Sequence, residues 1–152
     1  MKSIRYAPIL LGVCLGLFLA VTSVTNRALA HKVKHTPEQL KAFEEVFMEQ
    51  VRTGDLLFHG DTATEKQMGV KLSRTGMACA MCHPFASDIH PHEFPKFQEQ
   101  MNQPATLRDM INWCIEKPNE GEMLDPSSDA MKALEAYIYW SNRGSKLDPG
   151  RH

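Results

Sequence analysis

The sequence is short of cysteine, of aromatic residues and of any surplus of basic charge. Its 152 residues include four cysteines, 8% aromatic residues, and 17 Lys and Arg against 18 Asp and Glu. No basic run, internal repeat or low-complexity segment occurs, so nucleic acid is not expected as a partner. The length fits one ordinary domain.

One long hydrophobic run occurs, and it lies at the amino terminus. Lys2 and Arg5 precede an apolar run at residues 7–24, and Ala28-Leu29-Ala30 then matches the small-x-small pattern of signal peptidase sites. We interpret residues 1–30 as a cleaved signal peptide and residues 31–152 as a single exported domain. An uncleaved anchor is the alternative, because the run is nearly long enough to span a bilayer. The cleavage site and the lack of a second such run favour a periplasmic protein that leaves the membrane after cleavage.

Cleavage would also set the charge and the cysteine count of the mature protein. It would leave 14 basic and 18 acidic residues, a net charge of −4, and the three cysteines Cys79, Cys82 and Cys114. An odd number of cysteines does not suit a disulfide framework. Cys14 does not fit a lipoprotein signal, because the branched Val13 stands where a small residue is needed.

Three segments have the period of amphipathic helices. The first begins at Thr36-Pro37-Glu38-Gln39, a capping-box pattern, and extends toward Phe58, although Gly54 interrupts it. Its apolar positions share one helical face: Leu40, Phe43, Phe47 and Val51.

The second helix is predicted from Thr106 to Pro118, and the third from a cap within residues 125–128 to Gly144. The apolar stripe of the second helix is Leu107, Met110, Ile111 and Cys114, and that of the third is Met131, Leu134 and Ile138. Residues 59–104 show no sustained period and no convincing strand. The sequence therefore predicts an all-α fold with an irregular middle, which needs something other than regular structure to organise it.

Cys79-Ala80-Met81-Cys82-His83 has the C-x-x-C-H spacing of c-type haem attachment. Two thiols three positions apart on one tight turn can add to the two haem vinyl groups. The following histidine then lies beneath the iron as proximal ligand. This predicts one covalent haem c, with thioethers at Cys79 and Cys82, iron coordination by His83, and a class I cytochrome c-like fold.

A zinc site or a thiol redox pair is the alternative interpretation of C-x-x-C. Zinc would need a second ligand pair, and only Cys114 and scattered histidines are available. A thioredoxin-like site would need alternating strands and helices, which the pattern lacks. Both alternatives are therefore less favoured than haem.

The distal haem ligand has several candidates. Met123 lies in a loop before the last helix, where small cytochromes usually have their methionine ligand. His90 and His92, between two prolines, could give bis-histidine ligation, and His59 is a weaker candidate. Cys114 lies on an apolar stripe, although a buried, inert thiol explains that position equally well.

The segment from Leu107 to Gly144 resembles the end of the haem domains of thiosulfate dehydrogenase and of the SoxA subunit of sulfur oxidation. The matching positions are an I-N-x-C element at Ile111, Asn112 and Cys114, then Gly121, Met131 and Ala136-Tyr137. The resemblance covers the chain from about Gly54 to Gly144. It implies that Cys114 is the distal ligand, because the cysteine of I-N-x-C binds iron in that family.

The chain is also similar to the small His/Cys cytochromes of the NaxL and NaxS kind, which pair as dimers. This similarity implies homo- or heterodimer formation. Thiosulfate dehydrogenase has two haem motifs, whereas this chain has one. The resemblance is therefore taken to imply the ligand and not the enzymatic activity.

These observations predict a periplasmic electron-transfer cytochrome. A thiolate ligand stabilises ferric iron, so His/Cys ligation predicts a low reduction potential, whereas Met123 would raise it. A redox protein, such as another cytochrome, is the expected partner. The alternatives are a sulfur-compound oxidoreductase or a haem subunit of one, and a protein that binds nitric oxide or carbon monoxide. No catalytic residue is assigned.

Overall fold

Helices dominate the part of the chain that the computed structural model describes, residues 34–151. The residues from Thr36 onward form one unit. Its regular elements, in chain order, are α1 (Pro37–Phe58), α2 (Thr62–Met68), α3 (Cys79–Cys82), β1 (Lys96–Gln98), β2 (Gln103–Ala105), α4 (Leu107–Glu116) and α5 (Asp129–Ser141), with 3-10 turns at Ala86–Ile89 and Pro91–Glu93 between α3 and β1.

The predicted signal peptide lies outside the described residues, so its cleavage stays a prediction. Within residues 34–151, no helix combines the length and the apolar character that a membrane span requires.

The predicted helix starts are confirmed by their caps. At α1, the Thr36 hydroxyl accepts a hydrogen bond from the Gln39 amide, and the Gln39 side chain accepts one from the Thr36 amide. Thr106 and Asp109 form the same reciprocal pair at α4. Ser128 caps α5 by accepting from the Met131 amide at 3.2 Å. Each cap satisfies an amide that has no partner within its helix, which explains why these helices begin there.

The apolar stripe of α1 divides into an exposed half and a buried half. The helix continues through Gly54 to Phe58 as predicted, but Leu40, Phe43 and Phe47 are 43–54% exposed. Val51 is 4% exposed, and burial begins there because the second half of the helix packs against α5. The stripe correctly predicts a helix, but only its last residue belongs to the core.

The packing of α1 against α5 forms the centre of the core. Leu57 and Phe58 of α1 and the predicted stripe of α5 are all nearly inaccessible to solvent. Gly54 permits this packing, since a Cβ at that position would overlap the Ala133 carbonyl and lie 2.8 Å from Cβ of Tyr137. The glycine that interrupts the helical pattern is therefore the contact point between two helices.

The expectation that the middle of the chain contains no strand was wrong. β1 and β2 form an antiparallel hairpin in which Lys96 is paired with Ala105 and Gln98 with Gln103. Each strand has three residues, and this length is too short for alternation to be recognised in a sequence. The fold is mostly helical with this one small sheet among the described residues.

We predict that Gly54→Ala lowers the free energy of unfolding by about 1–3 kcal/mol, the usual range for overpacking a core. The added methyl group would have to separate α1 from α5. Denaturant unfolding of the holoprotein measures the effect, with Glu49→Ala on the exposed side of α1 as the control. Equal stability of the two variants would show that the helices do not approach this closely.

Candidate functional site

An apolar cleft of about 250 Å³ lies beside the α1–α5 packing. Its walls come from the end of α1 and from the inner faces of α4 and α5. The apolar side chains in its lining include Phe58, Leu107, Ile111, Leu134 and Ile138. The apolar stripes predicted for the second and third helices therefore meet in one place, and they form a surface suited to an apolar ligand.

The C-x-x-C-H segment forms one side of this cleft. Its four residues from Cys79 to Cys82 make the single turn α3, and the His83 amide closes it by donating to the Cys79 carbonyl at 2.9 Å. Cys79, Cys82 and His83 all line the cleft. Cys82 is exposed and the His83 side chain is 40% exposed, so this side of the cleft is accessible.

Asp88 is a neighbour of His83 that the sequence did not predict. Its Oδ1 lies 3.3 Å from Nδ1 of His83, and it too lines the cleft. The 3-10 turn at Ala86–Ile89 produces this approach, and no motif in the sequence signals it. A carboxylate at this distance can accept a hydrogen bond from the Nδ1–H group, which leaves Nε2 as the ligand atom.

Cys114 of α4 lies in the same cleft as the C-x-x-C-H turn. Burial raises the pKa of its thiol to about 11, with the charge of Cys82 as the second cause. Burial likewise raises the pKa of Cys79 to about 11, with the charge of Cys114 as the second cause. The three sulfur atoms are therefore electrostatic neighbours around one apolar space. Without a cation nearby, the Cys114 thiol stays protonated at neutral pH.

Met123 does not line the cleft, and its side chain is 60% exposed. The loop that carries it is held on both sides. The Glu122 amide donates to the Lys71 carbonyl at 2.8 Å. Leu124 exchanges two hydrogen bonds with the Asn112 side chain, at 2.8 and 2.9 Å. These contacts fix the backbone on both sides of Met123.

Gly121 explains why this loop contains a glycine. A Cβ there would overlap the carbonyl of Leu72 and lie 2.9 Å from that of Lys71. The Gly121 amide also donates to the Ile115 carbonyl at 2.8 Å. The positions that carried the family resemblance thus have a structural role, because Asn112 and Gly121 together hold the loop against α4.

The histidine candidates lie in different surroundings. His90 is exposed and lines the edge of the cleft, whereas His59 and His92 do not line it. His59 Nδ1 lies 2.9 Å from both the backbone carbonyl oxygen and the Oδ1 atom of Asp55. Of the candidate distal ligands, the structure therefore brings Cys114 and His90 to the cleft that His83 lines.

A family model for the SoxA/TsdA cytochrome c domain matches residues 65–147. The chain belongs to this family. It is therefore a cytochrome c domain with a haem electron-transfer role, and haem c is its covalently bound cofactor. The apolar cleft fits such a group, since its walls are largely hydrocarbon and two cysteines and a histidine lie on one side.

Parts of the chain are similar to two thiosulfate dehydrogenases. Over 50 residues, the chain is 32% identical to a thiosulfate dehydrogenase of Psychrobacter arcticus. This match covers 33% of this chain and 15% of that protein. The fold superimposes on the thiosulfate dehydrogenase TsdBA of Marichromatium purpuratum, in its as-isolated form, with a TM-score of 0.54 and 18% identity. That match covers 77% of this chain and 26% of the other, and it confirms the cytochrome c fold.

Proposed function

We propose that this protein is an exported, single-haem electron carrier of low reduction potential. In this proposal Cys79 and Cys82 attach the haem, His83 is the proximal ligand and Cys114 is the distal ligand. The observation that supports it is that Cys114 and His83 line one apolar cleft while Met123 lies outside it. The single C-x-x-C-H motif supports one haem.

The surroundings of Cys114 support a low potential. When bound, the haem supplies a reversible one-electron change at its iron. Burial raises the pKa of Cys114 to about 11, so a thiolate there needs compensation from a cation. Ferric iron provides more positive charge than ferrous iron, and a buried thiolate therefore favours the oxidised state. Asp88 acts in the same direction through His83, because its negative charge also stabilises the ferric site.

The other parts of the proposal concern location and partners. The predicted signal peptide supports a periplasmic protein, since residues 1–30 have the composition of an export signal. The acidic mature chain would exchange electrons with another redox protein, such as a second cytochrome. A homo- or heterodimer is also proposed, because the sequence is similar to small His/Cys cytochromes that pair.

A sulfur-compound oxidoreductase, or one of its haem subunits, is the second candidate. The names of the two thiosulfate dehydrogenase relatives favour it. The chain spans 15% of one relative and 26% of the other, so most of each protein has no counterpart here. An electron carrier needs only the haem domain, which is the part that the chain matches.

The first experiment separates a carrier from an enzyme. We expect the oxidised holoprotein, mixed with thiosulfate and excess ferricyanide, to show no multiple turnover of ferricyanide. The dithionite-reduced protein should be reoxidised by ferricyanide, which serves as the control for redox competence. Sustained thiosulfate-dependent turnover would instead establish the oxidoreductase.

The second experiment tests the distal ligand with Cys114→Ala and the matched variant Met123→Ala. We expect Cys114→Ala to lose the low-spin thiolate signal in electron paramagnetic resonance. Its potential should rise by on the order of 0.1 V, within the roughly 0.8 V range that axial ligands control. Met123→Ala should leave both unchanged. The reverse pattern, with loss of a near-infrared methionine band in Met123→Ala, would contradict the proposal.

The third experiment tests Asp88 as a positioning residue for His83. Asp88→Asn keeps the shape of the side chain but removes its charge, so ferric iron loses stabilisation. We expect the potential to rise by about 60 mV, the one-electron equivalent of about 1.4 kcal/mol. Asp129→Asn, a charge-matched change at an exposed residue of α5, should not shift the potential. If both variants shift it equally, net charge and not the His83 contact is responsible.

A further inference from the structure

A second group of ligand-type side chains lies outside the C-x-x-C-H turn. His90, His92 and Glu93 each offer one ligand atom, and these three atoms lie within 4.8 Å of one another. His90 has a left-handed backbone conformation with φ of 52°, and it joins the two 3-10 turns. This sharp change of direction brings two imidazoles and one carboxylate together within four residues.

His92 has an unsatisfied nitrogen. Its Nδ1 atom is buried and has no hydrogen-bond partner among the described residues. A buried polar atom left without a partner costs about 1–3 kcal/mol, so such atoms usually have a function. A neutral imidazole can use a ring nitrogen lone pair to bind a metal ion, and that would account for the arrangement.

Glu93 provides a buried negative charge in the same group. The residue is 9% exposed, and Lys96 donates a hydrogen bond to its Oε2 at 2.8 Å. That bond engages one carboxylate oxygen and leaves the second oxygen for another cation. Metal-bound carboxylates commonly have such an outer hydrogen bond, which orients them.

The backbone of this group is held from outside the cleft. The Asp148 amide donates to the His92 carbonyl at 3.0 Å, and the Gly150 amide donates to the Glu93 carbonyl at 3.0 Å. These bonds connect the group to the segment after α5. These two bonds fix the backbone at His92 and Glu93.

We propose that His90, His92 and Glu93 bind a divalent first-row transition metal ion at the edge of the cleft. Two imidazoles and one carboxylate form a three-ligand set that zinc accepts in sites with an open position. The same donors also suit copper, nickel and iron, whereas calcium and magnesium prefer oxygen ligands. The site goes beyond the electron-carrier proposal and rests on only one part of it, that neither His90 nor His92 binds the haem iron.

Isothermal titration of Zn²⁺ into the chelator-treated holoprotein tests this site. We expect one ion per chain, with an affinity at least about tenfold lower in each ligand variant, since the loss of outer partners alone costs roughly ten- to hundredfold. The variants are His92→Ala, Glu93→Gln and His90→Asn, in which asparagine tolerates the left-handed conformation. His90 is exposed, so its variant should fold even if the buried changes do not.

His59→Ala is the matched control, because His59 belongs to a separate contact with Asp55 and should not affect zinc affinity. The optical spectrum of each variant should match that of the wild type, which shows that these histidines do not bind the haem iron. Absence of saturable binding, or equal affinity in the wild type and His90→Asn, would overturn the proposal. A loss of low-spin haem in His90→Asn or His92→Ala would overturn it as well, because the histidine would then be a haem ligand.

Discussion

The close approach of α1 and α5 at Gly54 is the contact on which the site depends. Two helix backbones meet there because no side chain separates them. This approach buries Phe58 at the end of α1 and places it beside Leu134 and Ile138 of α5 in the wall of the cleft. A wider separation would move that wall, and the remaining side chains could not close around a flat apolar group.

The cleft joins two kinds of chemistry that are separated along the chain. The C-x-x-C-H turn supplies thiols and an imidazole from one side, and α4 supplies Cys114. Both sets lie in a region of low polarity, where charge is expensive unless it is paired. The raised pKa of Cys114 expresses this cost, and a ferric iron would offset it. Burial therefore keeps the Cys114 thiol protonated at neutral pH where no cation is near.

Hydrogen bonds hold the loop after α4 and, with it, the backbone on both sides of Met123. Asn112 and Gly121 hold it against α4 and against the segment at residues 71–72, and Met123 lies outside the cleft lining with most of its surface exposed. The position of Met123 thus depends on hydrogen bonds made by residues that do not line the cleft. The positions Asn112 and Gly121, which carry the family resemblance, therefore have a structural role in holding this loop.

Local patterns predicted much of the fold. The caps at Thr36, Thr106 and Ser128, the stripes of α4 and α5, and the general helical class are all confirmed. These features depend on residues three or four positions apart, which a sequence displays directly. The exposure of the first half of α1 and the short β1–β2 hairpin were not predicted. Both depend on which segments meet in space.

The candidate site also has some features that the sequence predicts and others that depend on the fold. The sequence by itself determined the C-x-x-C-H turn, because its chemistry needs only five consecutive residues. The tertiary structure alone decided that Cys114 and His90 line the cleft while Met123 does not, and that Asp88 approaches His83. Ligand choice is a matter of distance across the fold, and the helix packing and loop tethers that set those distances join residues far apart in the chain.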